Sequence, residues 1–130
     1  MASKEAIQSA VTAYIGAIDA MNPEGIAATF APDGVTYDPP GAPPQRGQEA
    51  IRGLFQGLFA GAATLDFAAD RVYVVGDEAA VKWTGHLTGK RGGTVTFEGI
   101  DVMTVGDDSK IRTLHAYWDP TPVLAVLQGG

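Results

Sequence analysis

The sequence has no cysteine among its 130 residues, no long apolar run and no cluster of positive charge. The absence of cysteine excludes a disulfide framework, a thiolate metal site and a cysteine nucleophile. A helix that spans a membrane needs about 18 consecutive apolar residues, and no segment approaches that length. The 9 Lys and Arg residues are scattered and the net charge is −6. Nucleic acid is therefore not expected as a partner, because phosphate contacts need clustered basic side chains.

Motifs for common cofactors and for export are missing as well. No glycine-rich phosphate loop or dinucleotide fingerprint is present, so we expect no cofactor. The two histidines, His86 and His115, have no acidic residue or second histidine at metal-ligand spacing, and no metal site is expected. The first residues run directly into a helical pattern without the features of a signal peptide. We therefore expect a cytoplasmic enzyme or binding protein.

The hydrophobic pattern changes from helical to strand periodicity about halfway along the chain, which we interpret as one domain, 1–130. Apolar residues at helical spacing predict helices at 3–21, 23–31 and 48–60. Alternating residues predict strands at 35–38, 64–75, 79–89, 93–106 and 110–118, and a last helical turn at 123–128. Short turns between the last four strands indicate an antiparallel meander.

Helices followed by a long antiparallel sheet are typical of an α+β fold. A strongly twisted sheet curled around three helices would form a cone with an apolar cavity, the kind of concave site that ligands usually occupy. Candidate walls of this cavity are side chains that share faces of the predicted helices and strands. They are Phe55, Leu58, Trp83, Leu87, Phe97, Met103, Leu114, Ala116 and Trp118.

An aspartate interrupts the apolar face of the predicted strand 93–106. The residues that share this face with Asp101 are Val95, Phe97, Gly99, Met103 and Val105. An ionised carboxylate is costly to bury without partners, so such a group usually takes up a proton. Asp101 is therefore misplaced by the strand assignment, paired with a cation, or a neutral acid kept as a hydrogen-bond donor.

Two further polar residues stand in unusual places. Tyr14 lies within the apolar stripe of the first helix, where the usual explanation is a core tyrosine whose hydroxyl finds a partner. Asp38 precedes Pro39 at the start of a proline-rich segment that extends to Gly47. That segment is either a stiff surface connection or a rigid rim that holds Asp38 at the mouth of the cavity, where partial solvation keeps it charged.

Several stretches resemble a known superfamily. Residues 13–33 and 46–52 are similar to the opening and the third-helix entry of the nuclear-transport-factor-2-like (SnoaL-like) superfamily, whose members share a cone-shaped fold. A sharper likeness is to the Δ5-3-ketosteroid isomerases. Tyr14, Asp38-Pro39, Asp101 and Trp118 stand in that family's order over the region from Val11 to Trp118. Some members support the first-helix tyrosine with further tyrosines, whereas Phe30 and Phe55 occupy those positions here.

The resemblance implies a reaction and a role for each residue. Asp38 would be the base that moves a proton within a β,γ-unsaturated 3-ketosteroid, and Tyr14 with protonated Asp101 would form the oxyanion hole for the dienolate. The ligand would be small, apolar and polycyclic, and no cofactor is needed. Ile100 and Val102 lie on the opposite face from Asp101, and together with the resemblance this predicts a homodimer.

Two other classes of function stay open. One is another acid–base enzyme of the same fold, such as a polyketide cyclase, a dehydratase or an epoxide hydrolase. The related dehydratases use a histidine pair and the epoxide hydrolases an Asp-Arg-Asp set, and the pocket-facing positions offer neither histidine nor arginine. The other class is a non-catalytic protein that binds small apolar ligands, in which Asp38 and Asp101 would be incidental.

Overall fold

Four helices surround one end of a curved sheet in this computed structural model, which describes residues 1–129. The helices are α1 (Lys4–Asp19), α2 (Pro23–Ala28), α3 (Gln48–Phe59) and α4 (Thr121–Leu127). Helix α1 starts at Ser3, whose side-chain oxygen accepts a hydrogen bond from the Ala6 amide at 3.1 Å. Asn22 caps α2 in the same way, accepting from the Gly25 amide at 3.0 Å. No helix in this part of the chain is long and apolar enough to cross a membrane.

The six strands form one sheet in the order β2-β1-β6-β5-β4-β3. Their bounds are β1 (Phe30–Tyr37), β2 (Gln45–Arg46), β3 (Ala62–Val75), β4 (Glu78–Gly89), β5 (Thr94–Val105) and β6 (Ile111–Tyr117). Strands β3 to β6 form the predicted antiparallel meander, and the α+β class is confirmed. The prediction of a wholly antiparallel sheet is wrong, because β1 pairs with β6 in parallel. A parallel pair needs a long connection, and here α3 and four strands lie between the two partners.

The segment between α2 and the proline-rich loop differs most from the predicted elements. Helix α2 ends at Ala28 instead of residue 31, and β1 begins at Phe30 instead of 35. The cause is pairing with β6, because Ile111 donates its amide to the Thr29 carbonyl and stands opposite Phe30. The pairing of β1 with β6 has a register shift between Phe30 and Val35. Strand β2, which the proline content had concealed, pairs with the end of β1.

One face of the sheet packs against the helices and makes the core. Asp101 lies on this inward face of β5, in line with the predicted alternation, and Met103 and Val105 lie on it as well. Register shifts in the β3–β4 pair, at Ala62–Thr64 and Ala69–Arg71, are irregularities of the kind that increase local twist. The curved sheet therefore encloses the space in which α1 and α3 pack.

Two glycines on the inward face make room for large aromatic rings. A Cβ atom on Gly85 would stand 2.5 Å from Cζ of Phe97, and one on Gly99 would stand 2.5 Å from Cζ2 of Trp83. Both distances are too short for a side chain to be added without displacing the ring. The rings of Phe97 and Trp83 therefore lie across positions at which the sheet has no side chain.

Replacing Gly99 with alanine tests this packing. The added methyl also meets the Tyr117 carbonyl oxygen at 2.6 Å, so the backbone itself must shift. We expect Gly99→Ala to lower the free energy of unfolding by about 1–3 kcal/mol in urea denaturation. The matched control is Gly57→Ala, at an exposed helical position with no atom within 4 Å, which should raise stability by about 0.5–1 kcal/mol. A Gly99→Ala protein as stable as the unaltered chain would contradict the packing.

Candidate active site

A cavity of about 60 Å³ opens between the helices and the inward face of the sheet. Its polar side chains come from separate elements: Tyr14 from α1, Asp38 from the residue after β1, and Asp101 from β5. The indoles of Trp83 and Trp118 also reach it. The remaining lining residues are apolar: Ile18, Phe55, Leu58, Phe59, Leu65, Phe67, Leu87, Phe97, Ala116, Val123 and Leu127. The structure thus brings together three acidic or hydroxyl groups that lie far apart in the sequence.

Most of the predicted wall residues line this cavity. The seven that do are Phe55, Leu58, Trp83, Leu87, Phe97, Ala116 and Trp118. Met103 and Leu114 do not, which corrects their assignment as wall residues, since both are wholly buried in the core. The reason is depth: they face each other across β5 and β6, one inward pair beyond Asp101 and Ala116.

Some lining residues were absent from the predicted wall. Leu65 and Phe67 lie on the inward side of β3. Their spacing of two residues could have identified them as sharing one face of a strand. Val123 and Leu127 come from α4, four residues apart on one helix face, so α4 closes part of the cavity. Sequence periodicity identified these positions as apolar but did not indicate that the last helix folds back over the cavity.

Asp101 is 2% exposed and has one hydrogen-bond partner. The indole Nε1–H of Trp83 donates to its Oδ1 at 3.0 Å, while Oδ2 is buried without a partner among the described residues. Among residues 1–129, no basic side chain lines the cavity to compensate the charge of an ionised Asp101. Burial, followed by the negative charge of Asp38, raises the pKa of Asp101 well above its usual value, against the lowering effect of the Trp83 hydrogen bond. The raised pKa favours the protonated form of Asp101.

Tyr14 is 1% exposed, and its ring meets that of Phe30 edge to face at 5.9 Å between centroids. Burial raises the pKa of the Tyr14 hydroxyl well above its usual value, and the charges of Asp101 and Asp38 add to this effect. The hydroxyl therefore stays protonated and available as a donor. Phe30 and Phe55 contribute only apolar contact, so a tyrosine relay to Tyr14 through these two positions is absent.

Asp38 is half-buried and pairs with the second indole. The Nε1–H of Trp118 donates to Asp38 Oδ1 at 2.6 Å. Burial raises the pKa of Asp38 to about 6, and the Trp118 hydrogen bond opposes that rise. A carboxyl with this pKa is ionised about ten to one at pH 7. Asp38 is partly exposed, and the indole N–H of Trp118 further stabilises its charged form.

The two tryptophans connect the two carboxyls. Trp83 and Trp118 meet edge to face at 6.1 Å between ring centroids. Phe97 packs against both, at 5.6 Å from Trp83 and 5.7 Å from Trp118. One aromatic cluster therefore positions the indole donors to both Asp101 and Asp38.

Both carboxyls bind their protons more tightly in the folded chain than in the unfolded one, because their folded pKa values are raised. The unfolded state therefore binds fewer protons from these two groups between the unfolded and folded pKa values. It follows that their contribution to the free energy of unfolding falls as the pH rises through that range. The site is held together against this electrostatic cost by the surrounding apolar packing.

Other titratable side chains of the sheet lie outside the cavity lining. His86 is exposed on the outer face and makes a 2.9 Å hydrogen bond with Thr96. His115 stacks on Tyr37, with ring centroids 4.4 Å apart. Glu98 also lies on the outer face, where its carboxylate is 3.5 Å from Lys82 Nζ. The cavity lining contains neither histidine nor arginine.

The fold and its cavity define a cone-shaped α+β protein of the nuclear-transport-factor-2-like class. A family model described as the SnoaL-like domain matches residues 11–114. The chain therefore belongs to the SnoaL-like domain family.

A curated relative, the steroid Delta-isomerase of Nocardioides simplex, is 33% identical over 115 residues, which cover 88% of this chain and 90% of the relative. Two solved structures share the fold. One is an NTF2-like protein of unknown function from Burkholderia pseudomallei, with a TM-score of 0.80, 17% identity and coverage of 94% of this chain and 97% of that one. The other is a hypothetical protein with a ketosteroid isomerase-like fold from Catenulispora acidiphila, with a TM-score of 0.80, 21% identity and 92% coverage of both chains.

The contact between Trp118 and Asp38 has a measurable effect on titration. In the unaltered protein, the ¹³Cγ resonance of Asp38 should titrate with a midpoint of about 6. Trp118→Phe removes the N–H that stabilises the anion, so the midpoint should move to higher pH. The exposed Asp70, held by Lys82 on the outer face, serves as the internal control and should titrate unchanged. A midpoint that stays near 6 or falls in Trp118→Phe would show that the hydrogen bond does not act on Asp38.

Proposed function

We propose that this protein is a steroid delta-isomerase, which moves a carbon–carbon double bond from β,γ to α,β conjugation with a 3-keto group. The observation that carries the proposal is the convergence of the Asp38 and Asp101 carboxyls and the buried Tyr14 hydroxyl in a single apolar cavity. The likeness to the steroid Delta-isomerase of Nocardioides simplex supports it. The substrate class that fits is a small, apolar, polycyclic ketone.

Asp38 is the proposed general base. Its carboxylate removes a proton from the carbon between the carbonyl and the double bond, which produces a dienolate. The same carboxyl then returns that proton to the far carbon of the double bond, so the atoms balance and the base is restored. A pKa of about 6 suits this role, because the group is mostly ionised at neutral pH yet basic enough to accept a proton.

Tyr14 and protonated Asp101 are the proposed oxyanion hole. Negative charge develops on the ketone oxygen as the dienolate forms, and donors already directed at it stabilise the transition state. Both groups keep their protons at neutral pH because they are buried. Removing one such donor typically costs about 100- to 1000-fold in rate.

The apolar remainder of the cavity selects the ligand. Phe55, Leu58, Leu87, Phe97 and Trp118 offer flat or branched hydrocarbon surfaces to a fused ring system. A dehydratase with a histidine pair or an epoxide hydrolase with an Asp-Arg-Asp set is disfavoured, because the lining has no histidine and no arginine. A ligand-binding protein without catalysis is the remaining alternative, and an activity assay separates it from the isomerase.

Asp38→Asn should abolish isomerisation, because an amide cannot take up the proton. The measurement is the absorbance of the conjugated ketone formed from a 5-ene-3-ketosteroid. Affinity for a phenolic steroid analogue should change little, since Tyr14 and Asp101 remain in place. Turnover by Asp38→Asn at the unaltered rate would remove Asp38 as the base. An unaltered, folded protein that binds the analogue but shows no turnover would favour the ligand-binding function.

The second copy of the chain in a homodimer is proposed to cover the outer face of the sheet. A row of residues crosses five strands there: Tyr73, Ala80, Val102, His115 and Tyr37. Ile100 and Tyr117 lie beside this row and are 46% and 51% exposed. An apolar surface of this kind is typical of subunit contacts.

Light scattering after gel filtration tests the dimer. The unaltered protein should have twice the 13.5 kDa mass of one chain. Ile100→Lys should shift the mass to that of a single chain, because it would bury a charge within the proposed contact. The control is Thr12→Lys, on the exposed side of α1, which should leave the mass unchanged. A dimer that tolerates Ile100→Lys would exclude this face as the interface.

A further inference from the structure

The buried hydrogen bond between Trp83 and Asp101 indicates which oxygen of the neutral carboxyl carries the proton. Trp83 is 3% exposed on the inward face of β4, and its Nε1–H donates to Asp101 Oδ1 at 3.0 Å. An indole nitrogen only donates hydrogen bonds. The oxygen that faces it must therefore be an acceptor, which in a neutral carboxyl is the carbonyl oxygen. The acid proton then belongs on Oδ2, the oxygen that has no partner among residues 1–129.

The indole is held in this position by close packing on its faces and edges. Its ring centroid lies 4.7 Å from that of Phe67, 5.6 Å from Phe97 and 6.1 Å from Trp118. Gly99, on the neighbouring strand, leaves the space that the indole ring occupies. A ring packed in this way does not turn without displacing its neighbours, so the direction of the N–H is set by the core.

We propose that Trp83 is a positioning residue that keeps the acid proton of Asp101 on Oδ2, so that this hydroxyl is the donor to a ligand oxygen. Without the indole, the proton is free to reside on either oxygen, and part of the population points its donor away from the ligand. The consequence for rate rests on the proposed isomerase function. The hydrogen-bond geometry itself does not depend on that function, because it exists in the protein without substrate.

Trp83→Phe removes the N–H and keeps an aromatic ring in the cluster. We expect kcat to fall about 2- to 10-fold, the effect of one neutral hydrogen bond, with KM changed less than about twofold. In an Asp101→Leu background the same change should lower kcat by less than about twofold, because no acid proton remains to be positioned. Equal losses of kcat in the two backgrounds would overturn the positioning role, while the proposed function would stand.

Titration of Asp101 gives a test that needs no turnover. The titratable groups facing Asp101 in the cavity are Tyr14 from α1 and Asp38 from the end of β1, and both are unchanged in Trp83→Phe. Loss of the N–H should move the ¹³Cγ midpoint of Asp101 to higher pH, because the indole stabilises the anion. A merely loosened core would admit water and move the midpoint to lower pH. A downward shift therefore overturns the proposal, even if the protein proves not to be an isomerase.

The unaltered protein supplies a second test if Trp83→Phe does not fold. The indole ¹H–¹⁵N resonance of Trp83 should titrate with the same midpoint as Asp101 ¹³Cγ, because the N–H contacts the ionising group. The indole of Trp118, bonded to Asp38, is the matched control and should follow the Asp38 midpoint of about 6. If the chemical shift of the Trp83 indole resonance does not change as Asp101 ionises, the contact is excluded.

Discussion

The removal of the Asp101 carboxyl from water is the physical constraint on which the rest of the site depends. Burial in an apolar setting disfavours the anion, and the residues that line the cavity provide no cation. A neutral carboxyl carries a proton that it can donate, which an anion cannot. The indole of Trp83 donates to one oxygen of this carboxyl, and the other oxygen has no partner among residues 1–129.

The two aspartates of the cavity have raised pKa values but differ in how deeply they are buried. Asp38 and Asp101 each accept from one indole, so the hydrogen-bond count does not distinguish them. Asp38 is half-buried at the end of β1, whereas Asp101 lies within a core strand at 2% exposure. Proximity of the two groups also matters, because the charge on Asp38 makes ionisation of Asp101 harder. A difference in depth is one way in which two like groups in one cavity acquire different pKa values.

Where the sequence-based interpretation failed, the missing information was long-range. The parallel pairing of β1 with β6 joins residues about 80 positions apart, as in Tyr37 opposite His115, and no local pattern encodes it. That pairing also shortens α2 and brings Phe30 into the sheet. The alternation of residues correctly placed Met103 and Leu114 on the inward face of the sheet. It did not predict that they lie in the core below the cavity, because that depends on which helix covers each inward pair. The sequence also did not predict the hydrogen-bond partners of Asp38 and Asp101. In a periodic pattern a tryptophan counts as an apolar residue, and its role as a hydrogen-bond donor depends on long-range packing.

The sequence by itself determined the α+β class, the four-strand meander, the inward face of Asp101 and the candidate residues Tyr14, Asp38 and Asp101. These follow from local periodicity, turn residues and the resemblance of short stretches, all of which are carried by neighbouring positions. Only the tertiary structure decided that three elements bring these side chains to one cavity, that α4 closes it, and that two indoles hold the carboxyls. The physical reason is that burial and hydrogen-bond partners are properties of the packed core, and they set whether a given aspartate is a base or an acid.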